Sequence, residues 1–381
     1  MKNLEVQSFG PIESVKVDFG DLTILIGPQA SGKSIFLQLL KLIVDKGYIL
    51  KSLQQYNYIL NRNPQNILDI FFGEGMNNVW RSDSKILFDN SNYTQNYLIG
   101  NKNDTSEELF YIPAQRILSI SDGRPKNFME FDISIPYVLR QFSEILRLYL
   151  QNGMGREASL FPNQSQLTDI IGESVKENIF YGGTVVMDER TGQKKMRLEV
   201  EDISVPFMTW SAGQKEFMPL LLAFYCLAGS PSKVIKREKF KYVVIEEPEM
   251  GLHPQAIKTI LLQVVHLLSK NYKVIISTHS PIFLEFTWAI NLLKSQKCDV
   301  DPIFELFDLK KSEDAEMLFK ELYNKTINTF YFFRDNNKVI SKDISSLDAG
   351  SEDLDIAEWG GISSFAGKVC DIVSKYFSNE N

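Results

Sequence analysis

The stretch Gly27-Pro28-Gln29-Ala30-Ser31-Gly32-Lys33-Ser34 constrains this chain more than any other. The apolar run Leu22–Ile26 precedes it and the apolar stretch from Ile35 follows it, so the glycine loop joins a buried strand to a helix. Such a loop wraps phosphate oxygens with backbone N–H groups at a helix N-terminus; Lys33 neutralises the β- and γ-phosphates and Ser34 offers its hydroxyl to Mg²⁺. Residues 27–35 are therefore expected to bind ATP, with Mg²⁺ as cofactor and Lys33 also acting in catalysis.

A composition of 44% hydrophobic residues with 12% aromatics supports a buried core in a chain of 381 residues, enough for one large domain or two. The net charge of -7 argues against a nucleic-acid binder that uses its whole surface. Only local basic groups could hold nucleic acid, namely Lys233, Lys236, Arg237, Lys239 and Lys241, and a second set at Lys194, Lys195 and Arg197. Such runs are more often solvated faces. Cys226, Cys298 and Cys370 lack metal or redox spacing, and His253, His266 and His279 leave little for a zinc site. The N-terminus has no signal-peptide core, and the longest apolar run, from Phe217 to Gly229, contains a proline and is too short for a bilayer. The expectation is a cytoplasmic protein without a membrane partner.

Along the chain, residues 1–26 alternate as an antiparallel opening and then a buried strand. Residues 48–105 show no long clean period and are read as an insertion of short elements. A strand at 109–116, ending in "IPAQR", precedes two segments of helical spacing within about 135–180, expected to form a lid. Residues 182–207 alternate as two or three strands with a turn at Thr191 and Gly192. Apolar strands and helices then recur through residue 300, implying a mainly parallel sheet covered on both faces. The expected division is a nucleotide-binding core at 1–45 and 182–300, an insertion at 46–181, and an α/β extension at 301–381 that closes in an amphipathic helix.

Two further strand ends carry chemistry. Tyr242-Val243-Val244-Ile245 runs into Glu246-Glu247-Pro248, where Glu246 would join the Mg²⁺ shell and Glu247 would orient or deprotonate the attacking water. "VIISTHSP" ends a neighbouring strand on His279, close to where ligands collect at the carboxyl ends of parallel sheets. The stretch "WSAGQKEF" at 210–217 starts another helix with a serine hydroxyl and free N–H groups, a second anion-binding end.

The order GxxxxGKS, "AQR", "SAGQKE", "VVIEEPEMGLHP", "STHSP" resembles the ABC-type ATPase superfamily, especially its SMC-like and OLD-like branch, usually grouped with AAA proteins. The resemblance implies a P-loop ATPase fold with a mainly parallel central sheet, an antiparallel β subdomain and a helical lid. It implies a head-to-tail homodimer, or higher homo-oligomer, in which Ser211, Ala212, Gly213 and Gln214 cap the γ-phosphate bound by the other copy. Gln115 would take the Q-loop position toward Mg²⁺ or water, with Arg116 as the alternative functional neighbour, and Gly251-Leu252-His253-Pro254 falls at the D-loop. Departures from transporter ATPases (Glu246 for aspartate, His253 for the D-loop aspartate, "SAGQ" for a glycine pair) favour the SMC-like and OLD-like branch.

Fewer than 180 residues separate Lys33 from Ser211 without sustained heptads, which excludes long coiled-coil arms. Asp353-Leu354-Asp355 is the one candidate for an intrinsic Toprim-type nuclease, but it lies in a polar stretch. The build is similar to the PtuA-type ATPases of Septu systems and AriA-type ATPases of PARIS systems, which implies control of a separate effector, a nuclease or toxin, in anti-phage defence. A DNA repair or recombination ATPase, a transporter-linked role and an ATP-gated, non-hydrolysing scaffold are the alternatives; DNA or RNA as a partner stays open.

Overall fold

The computed structural model describes residues 1–100, 106–153, 159–189, 192–230, 235–362 and 364–377. Strands β1 (Asn3–Phe9) and β2 (Ile12–Asp18) form an antiparallel hairpin with Val6 opposite Val15, and β3 (Leu22–Ile26) leads into the glycine loop. Every residue of β3 is buried. Its side chains alternate between two cores, with Leu22, Ile24 and Ile26 in one and Leu25 in the other. Helix α1 (Lys33–Gln55) lays Phe36, Leu37, Leu40 and Ile43 onto the second core.

Next come α2 (Pro64–Phe72), β4 (Trp80–Phe88), β5 (Ser91–Tyr93), α3 (Asn96–Ile99) and β6 (Leu109–Ile112). Part of the expected insertion thus extends the main sheet, since β4 pairs with β1 and sets Ile86 opposite Val6. Two short strands, β7 (Ile120–Ser121) and β8 (Arg124–Pro125), precede α4 (Tyr137–Leu148), β9 (Ser159–Phe161) and α5 (Asp169–Val175). With β9, strands β10 (Thr184–Asp188), β11 (Lys195–Val200) and β12 (Ile203–Pro206) build a four-stranded antiparallel sheet in the order β12-β11-β10-β9. Thr191 of the expected turn lies outside the described residues, while Gly192 holds φ 76°.

The α/β pattern resumes with α6 (Ala212–Ala228), β13 (Tyr242–Glu246), α7 (Pro254–Ser269), β14 (Lys273–Thr278) and α8 (Pro281–Ser295). After α9 (Asp301–Leu306) and α10 (Glu313–Tyr323) follow β15 (Ile327–Asp335), β16 (Lys338–Asp343), α11 (Leu354–Ala357) and α12 (Ser364–Phe377). The main sheet runs β5-β4-β1-β2-β16-β15-β3-β14-β13-β6, with β15, β3, β14, β13 and β6 mutually parallel.

The segment after residue 300, expected as an α/β extension, supplies two strands of the main sheet. Strand β15 sits directly beside β3, with Phe330 opposite Leu25, so the C-terminal segment is woven into the nucleotide-loop sheet instead of extending from it. The physical reason is that a buried strand must pair its N–H and C=O groups on both sides, and β14 covers only one side of β3. Sheet neighbours so far apart in the chain leave no local periodicity to read.

Helix α1 also carries a buried ionic cluster. Lys41 Nζ donates to Asp45 Oδ2 at 2.7 Å, Glu107 Oε1 at 2.6 Å and the Leu109 carbonyl at 2.6 Å. Asp45 leaves helical geometry at φ -111°, ψ 20°, and its carboxylate accepts the N–H groups of Glu108 at 2.9 Å and Leu109 at 3.1 Å, tying the start of β6 to the helix. Burial opposes charge on Lys41, but Asp45 and Glu107 outweigh it and hold the ammonium pKa above the ordinary lysine range. Lys41→Met would strand two buried carboxyl groups without a cation. The expected outcome is a loss of about 3–5 kcal/mol in urea unfolding; a change no larger than the roughly 0–1 kcal/mol typical of a surface pair would contradict this role.

Candidate functional site

The parallel half of the sheet brings four strand ends to one edge: β3 runs into the glycine loop, β13 ends at Glu246, β14 is followed by His279, and β6 leads to Gln115. Ligands of open α/β sheets collect at such an edge. The loop takes left-handed backbone at Ala30 (φ 58°) and Gly32 (φ 79°). Gly27 (φ 147°) is confined by close approach, since a Cβ there would lie 2.0 Å from the Phe332 carbonyl oxygen. Lys33 Nζ donates to the carbonyls of Gly27 at 2.7 Å and Pro28 at 3.1 Å and to Ser31 Oγ at 3.1 Å. Burial pulls the Lys33 pKa down to about 8 against the attraction of Glu247, Glu249 and Glu246. Pro28, Gln29 and Ala30 are exposed along the loop, and Ser34 and Ile35 open α1.

Glu246 is 3% exposed, and its Oε1 has no hydrogen-bond partner. Burial raises its carboxyl pKa, opposed by the hydroxyls of Ser34 and Tyr111 and the backbone of Ala114. An orphaned carboxylate oxygen buried beside Ser34 is the donor set a hard divalent cation takes, so Ser34 and Glu246 fit Mg²⁺. Glu247 differs in every respect. It holds left-handed backbone (φ 42°), its N–H donates to the Ser277 carbonyl at 2.8 Å, and its Oε1 lies 3.4 Å from His279 Nε2. The hydrogen bond from His279, against burial and with help from Lys33 and Arg116, lowers the Glu247 pKa and keeps a half-buried carboxylate ionised.

Two residues organise these ends. Arg116 is fully buried and spreads its guanidinium over the carbonyls of Glu216 (Nε, 3.0 Å), Glu246 and Glu247 (Nη1, both 3.2 Å) and Pro248 (Nη2, 3.2 Å). Glu249 accepts Thr278 Oγ1–H at 2.8 Å and the His279 N–H at 2.7 Å through Oε1, linking the turn after β13 to the end of β14. Sequence alone assigns Glu249 no role, although a third carboxylate three residues after Glu246 is visible there. It offers Arg116 only as the alternative to Gln115; an arginine shortly after a buried strand and before Ile117 and Leu118 is its signal. Gln115 itself is exposed, just before the 3₁₀ turn Arg116–Ser119.

At α6, Ser211 caps the helix: its Oγ accepts the Gln214 N–H at 3.3 Å, and its own N–H donates to Gln214 Oε1 at 3.2 Å. Gln214 Nε2 also donates to the Ile179 carbonyl at 3.2 Å. Ser211 and Ala212 are exposed. Gly213 packs against the turn after β13, where a Cβ would meet the Gly251 carbonyl at 2.8 Å, and Gly251 is itself left-handed at φ 73°. His253 caps α7, its Nδ1 accepting the Gln255 N–H at 3.3 Å.

Seven of the other candidates are engaged in side-chain contacts. Lys194 pairs with Glu189 at 2.9 Å, Lys195 with Asp122, Arg197 with Asp188 at 3.6 Å, and Lys241 with Glu108 at 2.8 Å. Arg237 donates to the carbonyls of Gly229 and Ser230, and Lys233 lies outside the described residues. Asp353 and Asp355 both grip Lys342, at 2.5 and 2.8 Å. Among the described residues no cluster of three or more His, Cys, Asp or Glu could hold a metal ion, and no helix is long and apolar enough to cross a membrane.

A glycine loop entering a helix beside β3, with carboxylates and a histidine on the adjoining strand ends, defines a P-loop nucleotide-binding domain. Residues 77–285 match the family described as "AAA domain, putative AbiEii toxin, Type IV TA system", and residues 1–128 match "AAA ATPase domain". The chain belongs to this family of AAA ATPase domains. The Old nuclease of Escherichia phage P2 is 26% identical over 227 residues, which span 56% of this chain and 37% of that protein. Among solved structures, the SMC head bound to the C-terminal winged-helix domain of ScpA is 11% identical with a TM-score of 0.40, covering 90% of this chain and 96% of that one. The SMC head domain from Thermotoga maritima gives 12% and 0.38, covering 90% and 98%; a dimeric bacterial ABC transporter cassette gives 10% and 0.33, covering 73% and 88%. At these scores the likeness is loose, and the fold rests on the strand order itself.

Arg116→Lys keeps a charge but loses the planar fork, so it cannot serve Glu216 and Pro248 together. Leaving a buried carbonyl unpaired costs about 1–3 kcal/mol. The expected result is that loss in urea unfolding, with faster amide hydrogen exchange across residues 246–252. Unchanged stability and exchange would mean that the fork organises nothing.

Proposed function

We propose that the chain is a Mg²⁺-dependent ATPase whose pocket is completed by a second copy of itself and whose cycle governs a separate effector protein. The observation that carries hydrolysis is the pair Glu247 and His279, 3.4 Å apart on neighbouring strand ends, with the carboxylate held ionised. An ionised carboxylate at the phosphate edge can take a proton from the attacking water, and His279 holds it in place. Lys33, whose ammonium lies among the loop's own carbonyls, is the proposed partner of the phosphates. Ser34 and Glu246 would hold Mg²⁺, which supplies neutralisation of phosphate charge; Gln115 is the proposed third residue on its shell.

Completion in trans is supported by the exposed, serine-capped N-terminus of α6, seated on the turn around Gly251. A helix start of this kind presents N–H groups to an anion. Ser211, Ala212, Gly213 and Gln214 would meet the γ-phosphate held by the other copy. A separate effector is proposed because the Toprim candidate among the described residues, Asp353 with Asp355, is occupied by Lys342. Defence against phage or control of a toxin is the setting this build favours, with a cytoplasmic location.

Two outcomes test the proposal. Glu247→Gln should lower phosphate release on the order of 10²–10⁴-fold while ATP affinity stays within a few-fold; equal turnover by both proteins would favour an ATP-gated scaffold. Ser211→Arg should bind ATP as a monomer yet give no ATP-dependent dimer on size exclusion, and an unchanged dimer would refute the role in trans.

A further inference from the structure

The C-terminal hairpin β15–β16 walls the glycine loop at three points. The Phe332 carbonyl abuts Gly27, the Val339 side chain lies within 3.5 Å of where a Cβ on Gly32 would stand, and Arg334 reaches over the loop between them. Arg334 donates to the Ala30 carbonyl twice, through Nη2 at 2.9 Å and Nε at 3.2 Å. Ala30 is the non-glycine residue of the loop with left-handed backbone, φ 58°. An L-residue persists in that conformation only when its surroundings hold it there. In a trans peptide the C=O and N–H point in opposite directions, so a guanidinium gripping the Ala30 carbonyl from outside turns the Ser31 N–H away from itself, into the loop.

We infer that Arg334 is a positioning residue for the nucleotide: it fixes the Ala30–Ser31 peptide so that the loop presents its amide groups to phosphate before nucleotide arrives. The inference rests on the nucleotide-binding reading above and adds to it a dependence of affinity on the last strand pair of the chain. Arg334 is exposed and touches the loop's backbone, so its removal acts on binding and leaves proton transfer at Glu247 alone.

The test measures equilibrium binding of a fluorescent ATP analogue together with kcat and KM for ATP on the full chain. Arg334→Ala should raise both Kd and KM about tenfold, the scale of one charge-assisted fork, with kcat within about twofold and an unchanged thermal midpoint. Arg334→Lys, which keeps a donor without the fork, should recover part of the loss. Lys338→Ala removes another exposed cation of the same hairpin, paired with Glu13 at 2.9 Å, and should leave Kd unchanged. Should Arg334→Ala lower the midpoint, Arg334→Gln, a neutral donor, carries the same comparison. Wild-type Kd and KM in Arg334→Ala, or equal losses in Arg334→Ala and Lys338→Ala, would overturn the inference while the nucleotide-binding reading stands. Absence of analogue binding by the wild type would overturn both.

Discussion

The buried guanidinium of Arg116 is the interaction on which the geometry of this site depends. Backbone carbonyls at the end of β13, in the turn after it and within α6 converge on one planar group. Burial lowers the Arg116 pKa against the combined charge of Glu216, Glu249, Glu247 and Glu246, so the cation also supplies the positive potential among four carboxyl groups. A carbonyl turned toward Arg116 fixes the direction of the next peptide, and the left-handed backbone of Glu247 is held between this contact and its own N–H to Ser277. The helix that starts at Ser211 is tied to the strand that ends at Glu246 through the same side chain.

That linkage gives the two halves of the proposed cycle a shared part. Glu246 and Glu247 lie at the end of β13, and Gly213 rests on the Gly251 turn that follows them. Under the proposed pairing of two copies, a shift of α6 would be felt at the Glu216 carbonyl, hence by Arg116, hence by the carbonyls of Glu246 and Glu247. Glu249 adds a second tie, from the loop to Thr278 and His279. Discrete contacts of this kind, each made by a buried or half-buried charged group, hold these strand and helix ends in one arrangement.

Much of the site was legible in the sequence because its chemistry is local. The glycine loop, the Glu246-Glu247 strand end, His279 and the Ser211 cap are each defined within a short stretch of chain, and the strand ends fall on one sheet edge once the strands are parallel. What was hidden is non-local. Strand β15 lies next to β3 from the far end of the chain, and Phe332 and Arg334 meet the loop only because of that pairing. Lys41, Asp45 and Glu107 read as ordinary charges, yet they are buried against one another, and Asp45 breaks the period of α1 to cap β6. The basic groups read as surface runs, and Lys194, Lys195, Arg197 and Lys241 turn out to be paired with acids on neighbouring strands and turns.

The central claim is that one chain supplies only part of its own γ-phosphate site. A structure of the Glu247→Gln protein with ATP and Mg²⁺ measures this directly, through the distance from each γ-phosphate to the nearest Ser211 hydroxyl. The expected result is a serine that belongs to the other copy and lies at hydrogen-bonding distance, roughly 3 Å. A γ-phosphate enclosed by its own chain, with Ser211 of both copies remote from it, would contradict the claim.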